Sequence, residues 1–201
     1  MAIVKLNNNG VKDATAFGSI TGLGNLVFIS KQTASSSANV SFTSGINSTY
    51  KEYIFFFYNM HPATDGANLT FNLSTDGGSN YNVTKTTTAF NAYHGESDSP
   101  AGLDYDTGDD LAQSTNYQTI ATAIGSDDDQ NTSGYLHLFD PSNDTFVKHF
   151  IAKSNVTNLN DRSVNCLTAG YGNTTSAINA VDFKMSSGNI DAGTISLYGV
   201  V

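Results

Sequence analysis

The sequence predicts an all-β protein, an antiparallel β-sandwich of the jelly-roll type with about ten strands and little helix. Short runs of Val, Ile, Thr, Phe and Tyr recur between clusters of Gly, Asn, Asp and Ser, which is the pattern of strands separated by turns. Successive runs begin at intervals of about 8–20 residues, as strands of a sandwich do. No window carries a sustained apolar stripe at helical spacing with capping residues at its ends.

The first strands are expected at residues 25–31, 38–43 and 50–60. The third of these runs is the most hydrophobic. Residues 53–58 read Tyr-Ile-Phe-Phe-Phe-Tyr, so both faces of the strand are apolar. That pattern predicts a central strand that is buried on both faces.

A β-hairpin is expected over residues 67–88. Leu69, Phe71 and Leu73 alternate with Asn and Thr, so they lie on one face of a strand at 67–74. The sequence Thr-Asp-Gly-Gly-Ser at 75–79 is a turn signal, because Gly adopts positive φ at little cost. A second strand at 81–88 completes the predicted hairpin.

The second half of the chain continues the same pattern. Residues 94–110 contain Gly, Pro, Ser and acids and predict an exposed loop. Residues 109–124 are the best candidate for a helix, although Thr and Asn are poor helix formers. The later strands are expected at residues 134–140, 145–153, 162–170, 178–186 and 193–201.

The chain is long enough for one domain, which we place at residues 25–201. Residues 1–24 are expected to form an N-terminal arm or a first strand. The N-terminus lacks the long apolar segment of a secretion signal, so we expect synthesis in the cytoplasm. No apolar run reaches the roughly 18 residues that a membrane-spanning helix needs, so no membrane span is expected.

The charge balance argues against nucleic acid as a partner. The chain carries 18 acidic and 9 basic side chains, a net charge of −9, and Arg162 is its only arginine. Phosphate recognition needs clustered Lys and Arg, and the same argument disfavours an anionic membrane surface. Charged residues make up only 13% of the chain. Few charges would have to be desolvated if Asn-, Ser- and Thr-rich faces packed against a neighbouring subunit.

An acidic loop is the best candidate for a cation site. Asp104, Asp106, Asp109 and Asp110 lie within seven residues, and Ca²⁺ prefers several hard oxygen ligands from a flexible loop. Gly108 stands where an EF-hand would have a side-chain ligand, so a solvated acidic loop is the alternative. The second acidic run, 127–129, is expected to be a solvated turn. No other cofactor is expected.

Catalytic motifs are not recognisable in the sequence. Cys166, the only cysteine, lies in an alternating stretch and is expected to be a buried small hydrophobe. His137 and His149 lie in neighbouring predicted strands and could meet, although neither has zinc-site spacing. A pair of carboxylates for glycoside cleavage converges only in three dimensions, so a polysaccharide hydrolase stays an alternative.

Carbohydrate recognition is a second alternative, because exposed tyrosines can stack on sugar rings. Four tyrosines lie in or near predicted loops with Asn and Asp neighbours that could bind hydroxyl groups. These candidate glycan contacts are Tyr93, Tyr105, Tyr117 and Tyr171.

Three segments together resemble the virion structural proteins of marine tailed bacteriophages, of the tail-fibre, appendage or head-decoration type. They are the opening MAIVKLNN with DATAFG at 13–18, the block 50–58 followed by TDGANL and STDGGSNY, and the closing SGNIDAGTISLYG at 187–199. The resemblance covers about a third of the chain. The family's fibres have a shaft or coiled-coil segment, which this chain lacks.

The resemblance implies a non-enzymatic structural protein on the surface of a tailed-phage virion. The missing shaft favours a compact unit, either a tail appendage or a head decoration protein. Its expected partners are copies of itself, with a trimer as the expected state, and capsid or tail proteins. A sandwich offers edge strands and loops for contact between copies, and residues 1–24 could anchor the subunit to the particle. Recognition of a host-surface glycan is the alternative function and is compatible with the first.

Overall fold

The computed structural model describes residues 25–201, which contain twelve β-strands and no helix. The predicted arm at residues 1–24 lies outside the described residues. In chain order the strands are β1 Leu26–Ser37, β2 Val40–Phe42, β3 Glu52–Pro62, β4 Ala67–Ser74, β5 Lys85–Gly95, β6 Ala101–Tyr105, β7 Gln118–Ile124, β8 Thr132–Phe139, β9 Lys148–Asn158, β10 Arg162–Gly172, β11 Ala180–Met185 and β12 Ile190–Val200. No helix in residues 25–201 is long and apolar enough to cross a membrane.

All strand pairs are antiparallel, and they form two layers. The large sheet has eight strands in the order β1-β12-β3-β8-β9-β10-β5-β6. The small sheet has four strands in the order β2-β11-β4-β7. The layers are joined where β7 meets β9 at one residue pair, Ile124 and Asn158. The predicted all-β antiparallel sandwich is therefore confirmed.

The strand order is compatible with a jelly roll. We set aside the two hairpins β5–β6 and β9–β10, which extend the large sheet, and number the remaining eight strands in chain order. They then lie as 1-8-3-6 in the large sheet and 2-7-4-5 in the small sheet. Strands that neighbour in sequence thus alternate between layers, except for the fourth and fifth, which pair within the small sheet, as in a jelly roll of two Greek keys.

Aromatic rings from both layers form the centre of the core. Phe55 of the large sheet lies 5.3 Å from Phe42 and 5.5 Å from Phe183 of the small sheet, measured between ring centroids. Phe71 and Phe150 make a second contact between layers, edge to face at 5.0 Å. All five are buried. Full burial of one such side chain contributes about 1.5–3 kcal/mol, so these rings hold the two sheets together.

The predicted hairpin at 67–88 is wrong in its second half. β4 and the turn form as expected, and Asp76 in the turn accepts hydrogen bonds from Asn80 and Ser74, which hold the pKa of its carboxyl well below the usual range. The chain then crosses the outer face of β4 instead of pairing with it, and β5 pairs with β10 and β6 of the other sheet. Hairpin signals specify a turn, but tertiary contacts choose the partner of the next strand.

Two further local predictions are also corrected. The helix candidate at 109–124 forms bends, turns and the strand β7, as its Thr and Asn content favours. The expected loop at 94–110 contains the short strand β6, which forms an edge of the large sheet. The strand predictions for the last third of the chain are confirmed by β8 to β12.

Candidate functional site

Five aromatic side chains form a connected patch on the outer face of the large sheet. We call this set the aromatic patch: Phe28, Phe56, Tyr58, Tyr135 and Tyr198. They come from β1, β12, β3 and β8, which are neighbours in that sheet. Phe56 is at the centre, with its ring 5.7 Å from Tyr198 and 6.4 Å from both Tyr58 and Tyr135. Phe28 extends the patch to the edge strand through its edge-to-face contact with Tyr198 at 5.6 Å.

The aromatic patch corrects the prediction that β3 is buried on both faces. Its inward side chains Tyr53, Phe55 and Phe57 are completely buried, as expected. The alternate residues face outward, where Phe56 is half-buried and Tyr58 is 46% exposed. No strand in residues 25–201 packs over this face. The double-sided hydrophobicity of β3 therefore reflects one face in the core and one face at the surface.

Exposed apolar side chains also occur on the outer face of β9, β10 and β5, among polar neighbours such as Lys153, Asn155 and Asn165. Ile151, Leu167 and Phe90 point outward from three successive strands, and each is about two-fifths exposed. Glu52 accepts a hydrogen bond from His137 at 3.0 Å within the same face. A face with this many exposed apolar side chains is unusual unless it contacts a partner.

An open groove of about 510 Å³ lies beside the aromatic patch. Ala169 is small and lies between Ile151 of β9 and Thr88 of β5, which leaves a depression in the surface. Tyr171 and His149 stand at one end with ring centroids 6.0 Å apart. A second groove of about 520 Å³ adjoins the first at Phe139 and His149 and is lined by Asp140, Asn143, Thr145, Phe146, Val147 and Thr175.

The four tyrosines predicted as glycan contacts do not come together. Tyr117 is turned inward, where its hydroxyl donates to Asp182 at 2.9 Å and the Lys184 ammonium lies over its ring. Tyr93 packs against the core, with the Arg162 guanidinium 5.6 Å from its ring centroid.

Tyr105 and Tyr171 are the two predicted tyrosines on the outer face of the large sheet. Tyr105 is exposed, packs edge to face on Phe90 and donates its hydroxyl to Asp110. Tyr171 lines the groove. Of the four predicted contacts, Tyr171 therefore has the setting closest to a binding site.

The four aspartates predicted to bind Ca²⁺ are directed to different partners. Asp106 accepts from the Asn91 amide and the Gly108 backbone N–H, while Asp110 accepts from Tyr105. Burial raises the pKa of Asp109, whereas Asp104 lies in β6 opposite Asn91. Within residues 25–201, no group of three or more His, Cys, Asp and Glu side chains is placed to hold a metal ion. The calcium prediction therefore has no geometric support in this arrangement.

His137, His149 and Cys166 pack against neighbouring side chains and do not form a catalytic or metal-binding group. His137 lies against Phe139, while His149 lies against Tyr171, so each ring contacts an aromatic neighbour and not the other histidine. Cys166 is a buried free thiol, as predicted, and burial raises its pKa. A low thiolate population does not suit a nucleophile.

A buried polar cluster, which sequence reasoning missed, lies on the outer face of the small sheet. Asn72 and Asp182 are opposite each other on β4 and β11, and segments 75–84 and 106–117 lie across them. The Asn72 amide donates to the Tyr81 and Thr115 carbonyls at 2.7 and 2.9 Å. Lys85 is fully buried and donates to the Asn72 side-chain oxygen.

Lys85 has no counter-charge within reach. Its second acceptor is the Val83 carbonyl, and no carboxylate of residues 25–201 makes an ion pair with it. Burial lowers the pKa of this amine to about 7. Lys148 is also buried, and burial lowers its pKa too. Lys85 ties the covering segment 75–84 to β4, whereas Lys148 donates to the Phe146 and Thr174 carbonyls next to its own strand.

No protein-family model, curated protein or solved structure matches the chain.

Proposed function

We propose that the chain is a non-enzymatic structural subunit of the surface of a tailed-phage virion. The subunit assembles with copies of itself through the outer face of its large sheet and joins a capsid or tail protein as a head decoration or tail appendage. The aromatic patch is the observation that carries the assembly part of the proposal. The virion setting rests on the resemblance of the opening, middle and closing segments.

The dimensions of the outer face support a stable contact. Eight strands spaced about 4.8 Å apart span about 34 Å, and strands of eleven residues are about 37 Å long. This gives a face on the order of 1,200 Å², whereas a standard interface buries about 800 Å² on each partner. The exposed aromatic rings on β1, β12, β3 and β8 are of the type that contributes much of the binding energy in such contacts.

The test compares two surface variants of the full chain. In the patch variant Phe28 and Tyr58, the most exposed members of the aromatic patch, are both replaced by Ser. Its control is Leu159→Ser, which removes a 40% exposed apolar side chain in the turn between β9 and β10, away from the outer face of the large sheet. Light scattering during gel filtration measures the mass of the oligomer that each variant forms. Co-sedimentation with particles that lack the protein measures how much of each variant the particles bind.

The patch variant is expected to lose assembly and incorporation while its melting temperature changes little. The control is expected to behave as the wild type does. A monomeric wild type, or a patch variant that assembles and incorporates normally, would contradict the proposal.

A second candidate function, recognition of a host-surface glycan, is favoured by the groove at Tyr171. Its rim combines the rings of Tyr171, His149 and Phe139 with the hydroxyls of Thr86 and Thr88. Aromatic rings beside hydroxyl groups suit the apolar face and the polar rim of a sugar ring. The groove is open along the sheet, so a chain of sugars could enter it.

Glycan-array binding tests this candidate. Tyr171→Ala is expected to abolish binding. Tyr105→Ala, which removes another exposed tyrosine from the same face, is expected to retain binding. Absence of binding by the wild type, or equal binding by both variants, would argue against the groove as a sugar site.

A further inference from the structure

β1 forms one edge of the large sheet and is its longest strand. It pairs with β12 along Leu26–Ser37, with one bulge between Phe28 and Ser30. No strand of residues 25–201 pairs with its other side. Every second residue of an edge strand directs its backbone N–H and C=O away from the sheet, so β1 can accept a further strand.

β1 lacks most of the features that keep edge strands from pairing. It contains no proline, and Lys31 is its only charged residue. Its first three residues, Leu26, Val27 and Phe28, are 44%, 37% and 56% exposed. The opposite edge of the sheet is different, because β6 has only five residues and contains the acidic residue Asp104. β1 is therefore the edge better suited to strand addition.

The charge distribution favours a second copy of this chain as the added partner. Two copies that each carry −9 repel one another, so they meet most easily where neither carries acids. Residues 14–51 contain no Asp or Glu, and β1 lies in the middle of this segment. Phe28 also connects β1 with the aromatic patch, so pairing at this edge places two patches side by side.

We propose that β1 pairs antiparallel with β1 of a second copy across a twofold axis, which joins two large sheets into one of sixteen strands. Two identical strands related by a twofold axis perpendicular to the sheet run antiparallel, and each offers the same groups to the other. This inference rests on the self-assembly proposed above and adds an edge contact to the face contact. The edge pairing leaves the outer faces open and joins two aromatic patches into one larger face, through which the paired copies then assemble. A twofold contact gives an even number of copies, unlike the trimer expected from the sequence.

A cysteine scan of the full chain tests the pairing. Lys31, Gln32, Thr33 and Ser35 are replaced by Cys one at a time, and each variant is oxidised mildly and examined on a non-reducing gel. A disulfide requires Cα atoms about 4.4–6.8 Å apart, which only positions next to the twofold axis satisfy. The wild type, with its buried Cys166, and Leu103→Cys on the β6 edge are the controls.

Cross-linked dimer is expected to peak at one or two neighbouring positions and to decline on both sides, with none in either control. Hydrogen exchange of the wild type supplies a measurement without substitution, in which protection of β1 amides increases with protein concentration. Oligomers that form without cross-linking at β1 and without protection there would overturn the edge pairing but leave self-assembly intact. A wild type that stays monomeric would overturn both.

Discussion

The outer faces of the two sheets differ in polarity and in whether the chain covers them. The small sheet presents polar side chains, among them Asn72 and Asp182, and the chain itself covers them with two loops. The large sheet presents aromatic and aliphatic side chains such as Phe28, Phe56 and Leu167, which residues 25–201 leave open. The covered surface is held by hydrogen bonds, whereas the open surface carries a connected group of exposed aromatic rings among polar side chains. This difference supports the proposal that the large sheet, and not the small one, contacts a partner.

The largest effect is expected on the covered face. Asp182 is 1% exposed and accepts hydrogen bonds from Asn39, Ser41 and Tyr117. Asp182→Ala leaves three donors without their acceptor and should lower the free energy of unfolding by about 3 kcal/mol. Urea denaturation measures this change, with Asp128→Ala in an exposed turn as the control at under about 0.5 kcal/mol. A loss below about 1 kcal/mol would mean that the buried polar cluster does not hold the covering loops.

The pH dependence of stability is a second test of the covered face of the small sheet, where Lys85 is buried. The pKa of Lys85 is about 7 in the folded protein, because of burial, and about 10.4 when unfolded. Between these values the unfolded chain binds more protons, so this group makes stability rise with pH from 7 to 10. Below pH 7 the amine is protonated in both states and its contribution is constant.

Lys85→Met removes that titration. Between pH 7 and 10 the free energy of unfolding of the wild type should rise by on the order of 2–3 kcal/mol more than that of the variant. Thermal and urea unfolding of both proteins across this range provide the measurement, and comparison with the variant cancels the other groups. Parallel pH profiles would show that Lys85 is solvated in the folded protein.

The smallest effect is expected on the open face. Leu167 is 42% exposed at the middle of β10, outside the aromatic patch. Leu167→Thr introduces a β-branched side chain, which suits a strand, and should change the free energy of unfolding by less than about 0.5 kcal/mol. Urea denaturation of dilute protein measures it beside Asp182→Ala. A loss comparable to that of Asp182→Ala would erase the distinction between a covered and an open face.

The alternation of side chains made the strands predictable. Leu69, Phe71 and Leu73 alternate with polar residues, and all three are buried in the core as expected. Pairing partners were not predictable, because they depend on contacts between residues far apart in the chain. The turn at 75–79 is local and formed as expected, whereas the strand after it crosses to the other sheet.

The aromatic patch could be predicted only in part. The run at 53–58 signalled two apolar faces, but sequence alone does not tell a second buried face from a surface left for a partner. Its other members, such as Tyr135 and Tyr198, lie far away in the sequence and meet only through strand register. Lys85 carried no signal either, since its burial depends on the loops above the small sheet.

Hydroxyl-radical footprinting of the wild-type full chain tests most directly whether the large sheet's outer face is an assembly surface. Oxidation of Phe28 and Tyr58 should fall as the protein concentration rises, while oxidation of Leu159, a 40% exposed residue in the turn between β9 and β10, should stay constant. If oxidation of Phe28 and Tyr58 did not change with protein concentration, the account would be contradicted, because the aromatic patch would then remain open to solvent.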